Sequence, residues 1–192
     1  MTTIGVLALQ GAVREHIRCI QACDAQAIEI KRKEQLAEID GLILPGGEST
    51  TIGRLMDSYG LFTAIQDFAR QGKPIFGTCA GMIIMAKSIQ GQAKAHLGLI
   101  DMTVARNAFG RQVASFEAEI NVPAIANDFR AVFIRAPYVV EVGDDVEILA
   151  TYEEHIVAVR QGPFIATAFH PELTDDQRLI SYFMDMVAQA KQ

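Results

Sequence analysis

A cysteine stands at the centre of Gly77-Thr78-Cys79-Ala80-Gly81, directly after the apolar run Lys73-Pro74-Ile75-Phe76. A second apolar run, residues 164–169, ends in His170-Pro171-Glu172. A strand that breaks at small residues and turns into a helix holds its central side chain in a sharp elbow, where the backbone folds back too closely for larger neighbours. In that frame Cys79 can act as nucleophile, His170 as its base and Glu172 as the group orienting the imidazole. A helix opening at Ala80 would aim its N-terminal amides at the sulfur, favouring thiolate and offering the Ala80 N–H to an oxyanion. The plainer account makes Cys79 a small buried hydrophobe, and leaves His170 ending a strand with Glu172 in solvent. An elbow cysteine and a strand-end histidine in one chain favour the catalytic account.

Gly46-Gly47-Glu48-Ser49-Thr50 follows the apolar strand pattern Leu42-Ile43-Leu44. Two glycines let a backbone approach a ligand closely and turn an amide towards it. The same residues also suit an ordinary strand-to-helix turn with Ser49 or Thr50 as N-cap. A phosphate loop is a third option, but no Lys-Ser/Thr pair follows, and a spare Glu48 carboxylate would repel phosphate while suiting an amine or amide. Arg106-Asn107-Ala108-Phe109-Gly110-Arg111-Gln112 and Phe133-Ile134-Arg135-Ala136-Pro137 each place an arginine at a strand end. Such arginines either face solvent or fork onto a carboxylate. Cys19 and Cys23 lie four apart on a helix without further ligands at zinc-like spacing, so they read as packing residues. His16, at the border of that helix's apolar face, and His96 and His155, near turns, carry little catalytic signal.

The elements that must position these residues follow from hydrophobic periodicity. Strands are expected at residues 4–9, 27–30, 41–44 and 74–76, alternating with helices at 12–23, 50–57, 61–71 and 80–87. The second half reads as strands at 99–106, 116–122, 131–135, 138–142, 146–151, 156–161 and 164–169. A closing helix is expected after the capping-box pattern Thr174-Asp175-Asp176-Gln177, with Leu179, Tyr182, Phe183, Met186 and Val187 as its stripe. The alternation implies an α/β fold, a three-layer sandwich around a mainly parallel sheet with helices on both faces. Ligands of such sheets gather beyond the carboxyl ends of the strands, where Gly46, Gly47 and Cys79 all fall.

The 192 residues suffice for one domain spanning 1–192, able to bury roughly 70% of its unfolded surface. The net charge of −6, with no Lys/Arg-rich segment, argues against nucleic acid or an anionic membrane as partner. Three cysteines make no disulfide framework, and the apolar N-terminus lacks the basic region of a signal peptide. A cytoplasmic location is expected, and no metal or cofactor motif is evident.

Taken together, the elbow, the Gly-Gly-Glu-Ser-Thr loop, both arginine segments, His170-Pro171-Glu172 and the opening Leu7-Ala8-Leu9-Gln10-Gly11-Ala12-Val13-Arg14-Glu15-His16 resemble the class I (triad) glutamine amidotransferases, flavodoxin-like in fold. Within them they resemble the glutaminase subunits of pyridoxal 5′-phosphate synthase. The resemblance implies that Cys79 attacks the side-chain amide of L-glutamine, His170 relays protons and Glu172 orients His170. It implies an oxyanion hole from the amides of Gly47 and Ala80, and glutamine binding by Gly46, Gly47, Glu48, Arg106, Ile134 and Arg135. It further implies no cofactor, and transfer of ammonia to a (β/α)₈-barrel synthase subunit in a large hetero-oligomer. A barrel of that kind needs about 250 residues, more than the whole chain offers. The oxyanion hole is expected to stay incomplete until that partner flips the Gly46–Gly47 peptide. Three other readings are a glutaminase subunit of a different amidotransferase complex, which should lack the segment from Arg106 to Gln112, a stand-alone cysteine hydrolase, and a non-catalytic binding or scaffolding module, against which the intact Cys79, His170 and Glu172 argue.

Overall fold

The computed structural model describes residues 1–109 and 114–192. Gly110, Arg111 and Gln112 of the first arginine segment therefore lie outside the described residues. The chain begins β1 (Thr3–Leu7), α1 (Val13–Ala22), β2 (Gln26–Ile30), a 3₁₀ turn (Lys33–Glu38), β3 (Gly41–Leu44), α2 (Ser49–Ser58) and α3 (Leu61–Arg70). It continues β4 (Ile75–Thr78), α4 (Ala80–Met85), β5 (Ala86–Ile89), β6 (Ile100–Ala105), β7 (Ser115–Val122) and β8 (Ala126–Ile134). Then come β9 (Tyr138–Val142), β10 (Glu147–Tyr152), β11 (His155–Gln161), β12 (Phe164–Thr167), a second 3₁₀ turn (Pro171–Leu173) and α5 (Arg178–Ala190).

The first half of the main sheet runs β2-β1-β3-β4-β12, with every neighbouring pair parallel. All residues of β3 and β4 are buried, as expected of central strands covered on both faces. Alternation of side chains across the pleat shows the three layers directly. Phe76 packs on Phe183 of α5 with ring centroids 5.6 Å apart, while a β-carbon on the next residue, Gly77, would press on Gly81 and Met85 of α4. Cys23, just past α1, meets Ser181 of α5, and α2 touches α4, so the helices divide between the two faces.

This strand order is the doubly wound 2-1-3-4-5 pattern, whose switch point lies between β1 and β3. The loops leaving that point are Gln10-Gly11-Ala12 and Gly46-Gly47-Glu48. Beyond β12 the sheet turns antiparallel through β11 and β9 to β6, and β5 closes the edge parallel to β6. β7 and β8 form a separate antiparallel ribbon. Its rings join the main core, with Phe116 stacked on Phe133 at 4.7 Å and Phe133 against Phe169 at 5.6 Å.

Two local expectations need correction, and one element had no counterpart in the sequence pattern. The helix after Cys79 stops at Met85, and residues 86–89 form β5 on the edge of β6. Ala86-Lys87-Ser88-Ile89 is too short to show a period, and its exposed Lys87 and Ser88 suit the end of a helix as well as an edge strand. The 3₁₀ turn at Lys33–Glu38 was not anticipated. Thr174-Asp175-Asp176-Gln177 is not a capping box: the helix starts at Arg178, and its N-cap Gln177 makes no side-chain cap bond. Instead the Thr174 hydroxyl donates to the Pro171 carbonyl at 3.2 Å, closing the turn that carries Glu172. Among the described residues no helix is long and apolar enough to cross a membrane.

Candidate active site

Cys79 occupies the elbow between β4 and α4 at φ +51° and ψ −103°, a conformation that costs energy for any residue with a β-carbon. Its surroundings enforce that geometry. The Cys79 N–H donates to the Thr167 carbonyl at 2.8 Å, pinning the elbow to β12. Gly81 lies so near β3 that a β-carbon there would sit 2.0 Å from the Leu44 carbonyl oxygen. The small residues of the motif are thus required by close approach, and the thiol is held 3.8 Å from the Ile134 carbonyl.

His170 follows β12, and its N–H donates to the Val132 carbonyl of the β7–β8 ribbon at 2.8 Å. Pro171 fills the first position of a 3₁₀ turn, where a missing N–H costs nothing. That turn folds Glu172 back so that its Oε1 lies 2.6 Å from His170 Nδ1. Both side chains are buried, with His170 7% and Glu172 5% exposed. Burial alone pushes the imidazole towards neutrality, but hydrogen bonds to Cys79 and Glu172 and their negative charge outweigh it, raising its pKa to about 10. Burial likewise opposes charge on Glu172, yet nearby His16 and the bond from His170 hold its carboxyl below the usual range. The His170–Glu172 pair is therefore ionic at neutral pH.

Gly46 separates the switch-point loop from these side chains. A β-carbon on it would lie 2.5 Å from His170 Cε1 and 3.5 Å from Cys79 Cβ. Its carbonyl accepts from the Ala12 N–H at 3.2 Å, while the Gln10 side-chain oxygen accepts from the Glu48 N–H at 2.8 Å. The two loops are in effect stitched together. Gly11, at φ +106°, makes this contact feasible, because a β-carbon there would overlap the Gly46 oxygen.

Neither Ser49 nor Thr50 caps α2. Glu48 does, accepting from the Thr50 N–H at 3.1 Å and from the Thr51 N–H and hydroxyl at 2.8 and 2.7 Å. These bonds, the Thr51 hydroxyl's first, lower its pKa to about 2. Arg106 adds a contact of 3.3 Å to the same carboxylate. With four donors on its two oxygens, the Glu48 carboxylate is tied to the start of α2 and to Arg106 while still bordering the cavity over Cys79.

A cavity of about 560 Å³ opens over Cys79. Gly46, Gly47, Glu48, Ala80, Arg106, Ile134, Arg135 and His170 all line it, whereas Glu172 stands behind His170. Arg135 turns at φ +45°, its N–H held by the Ala114 carbonyl at 2.7 Å. Gln10, Asn107 and Leu173 also line the cavity, which no local pattern in the sequence indicated. The other residue missed is His16, fully buried on α1 and 3.6 Å from Glu172 Oε2. Its signal was a polar residue on the stripe of Val13, Ile17 and Ile20. His155 stacks on Tyr138 at 4.1 Å and His96 packs on Gly53, both in settings separate from the Cys79–His170 contact. Nucleophile, base, orienting carboxylate, helix-start amide and two arginines at one cavity can perform acyl transfer through a thioester.

Residues 6–189 match the SNO glutamine amidotransferase family. The chain is 61% identical, over the full length of both, to "Pyridoxal 5′-phosphate synthase subunit PdxT" of Anoxybacillus flavithermus. It is 62% identical over 191 residues, again all of both chains, to the protein of the same name from Geobacillus sp.. A solved structure described as a glutamine amidotransferase superposes with a TM-score of 0.92 at 45% identity, covering 96% of this chain and 98% of the other. The chain belongs to the SNO glutamine amidotransferase family.

Proposed function

We propose that this chain is the glutaminase subunit of a pyridoxal 5′-phosphate synthase, acting as one domain over residues 1–192 with Cys79, His170 and Glu172 as its catalytic triad. The observation that carries the reading is the buried His170–Glu172 pair beside a cysteine held at positive φ on a cavity floor. The Cys79 thiolate attacks the side-chain amide carbon of L-glutamine. The resulting oxyanion is met by the Ala80 N–H at the start of α4 and by the Gly47 N–H. His170 gives a proton to the amide nitrogen, the C–N bond breaks, and ammonia leaves a glutamyl thioester on Cys79. Water then attacks the thioester carbon, His170 takes its proton, and glutamate departs with the thiolate restored. Arg106 and Arg135 at the cavity rim suit the α-carboxylate, with Gly46, Gly47, Glu48 and Ile134 completing the glutamine site.

Ammonia passes, in this reading, to a (β/α)₈-barrel synthase subunit within a hetero-oligomer. The relatives named as synthase subunits over their whole length support a role as one subunit of such a synthase. A reducing cytoplasm suits a free thiol nucleophile. Flipping the Gly46–Gly47 peptide on docking must break the Ala12 N–H bond to the Gly46 carbonyl, which is why the β1 loop belongs to the switch. The test is glutamate release from glutamine with and without the synthase subunit, beside Cys79→Ala. Stimulation by the partner and abolition by the substitution are expected. Equal activity of the lone subunit would remove the peptide switch, and residual ammonia release by Cys79→Ala would remove the mechanism.

A further inference from the structure

We infer that His16 is a positioning residue of the site, acting through Glu172 to fix the His170 imidazole for proton transfer. The inference rests on the glutaminase reading above. His16 projects from α1 with no exposed surface, a placement that is costly for an imidazole unless polar groups meet it. Its Nε2 lies 3.1 Å from the Thr78 hydroxyl and 3.6 Å from Glu172 Oε2. That carboxylate oxygen has no hydrogen-bond partner among the described residues, although its carboxylate is buried. An anionic oxygen so placed is costly unless a donor faces it.

Burial holds His16 towards the neutral form, so one ring nitrogen carries the proton. With hydrogen on Nε2, the ring donates between the Thr78 hydroxyl and Glu172 Oε2. With hydrogen on Nδ1, a lone pair would face the carboxylate and a buried N–H would lack an acceptor among the described residues. Electrostatics therefore selects the Nε2–H tautomer. Thr78 directly precedes Cys79, so this one ring ties the strand of the nucleophile to the turn of the base. The 3.6 Å separation needs to close by only about half an ångström to become a full hydrogen bond, as catalytic contacts do on substrate binding.

Kinetics in the assembled synthase complex separate a positioning role from packing. The side chains acting on Glu172 are His16 and His170; Glu15, the residue before His16 on α1, and Thr78 from β4 act on the His16 ring, and Cys19 approaches the Glu172 backbone carbonyl. In His16→Leu, kcat for glutamine should fall about tenfold at unchanged KM, and the acid limb of the kcat profile should move to higher pH as Glu172 loses its neighbour. His16→Gln, whose amide can donate near the Nε2 position, should restore most of both. In the wild-type subunit, ¹⁵N NMR should show His16 as the neutral Nε2–H tautomer, a readout independent of variant folding. A Leu variant with wild-type kcat and acid limb, or an Nδ1–H tautomer, overturns the inference. Failure of the wild-type complex to hydrolyse glutamine would instead overturn the proposed function, leaving the tautomer result to stand alone.

Discussion

His170 Nδ1 and Glu172 Oε1 meet at 2.6 Å although only Pro171 separates the two residues in the chain. An extended His-Pro-Glu step would send the carboxylate away from the ring. The 3₁₀ turn, with Thr174 bonded back to the Pro171 carbonyl, brings it round. Replacing Glu172 by glutamine keeps shape but removes the charge that stabilises imidazolium. Glutamine turnover should fall by about 10²- to 10⁴-fold, as expected when an orienting carboxylate is lost from a triad. Circular dichroism should show the fold retained, so a small kinetic effect would remove Glu172 from the mechanism.

The same pair predicts how stability responds to pH. The His170 pKa is raised from 6.5 to about 10, with burial opposing and bonds to Cys79 and Glu172 prevailing. Between those values the native state holds a proton that the unfolded chain has released, so stability falls as pH rises. The contribution is complete below about pH 6.5 and gone above about pH 10. Thermal melts from pH 6.5 to 10 should therefore show a decline in Tm that is smaller in His170→Asn. Parallel profiles for the two proteins would mean the imidazole is not so strongly paired.

Gly46→Ala tests the closeness of the switch-point loop. The added methyl would sit 2.5 Å from His170 Cε1, so the ring or the loop must shift by several tenths of an ångström. Catalytic geometry tolerates little of that, and a 1 Å misplacement can cost about 10²-fold. The expected outcome is a large fall in kcat with a Tm within a few degrees of wild type.

What could be read in advance divides along physical lines. The elbow was legible because its constraint is local: Gly77 and Gly81 must be small for the chain to turn within five residues. The His170–Glu172 pair was legible for the same reason. Contacts across the chain were not. Gln10 holds Glu48 from 38 residues away, and His16 reaches Glu172 only because α1 packs under the second 3₁₀ turn. No periodicity reports such a meeting. The mainly parallel, helix-flanked architecture followed from alternating elements, whereas β5 stayed hidden because four residues with Lys87 and Ser88 exposed show no period of their own. The capping error at Thr174 has the same origin: a hydroxyl with two local uses was claimed by the turn rather than by α5.

Glu48 joins the stability of α2 to the substrate site, and the two roles can be separated. As N-cap it satisfies two backbone donors and the Thr51 hydroxyl, and it anchors Arg106 at 3.3 Å. Glu48→Ala should destabilise the protein by about 1 kcal/mol, the usual cost of a lost cap. That corresponds to a fall in Tm of roughly 2–4 °C for a chain of this size. Arg106 would lose its anchor at the cavity rim, so KM for glutamine should rise more than kcat falls. Glu48→Asp offers a shorter carboxylate that can still cap, and should recover stability while leaving Arg106 out of reach. Melts and steady-state kinetics on both variants decide the matter: if KM follows Tm in both, Glu48 serves the helix alone.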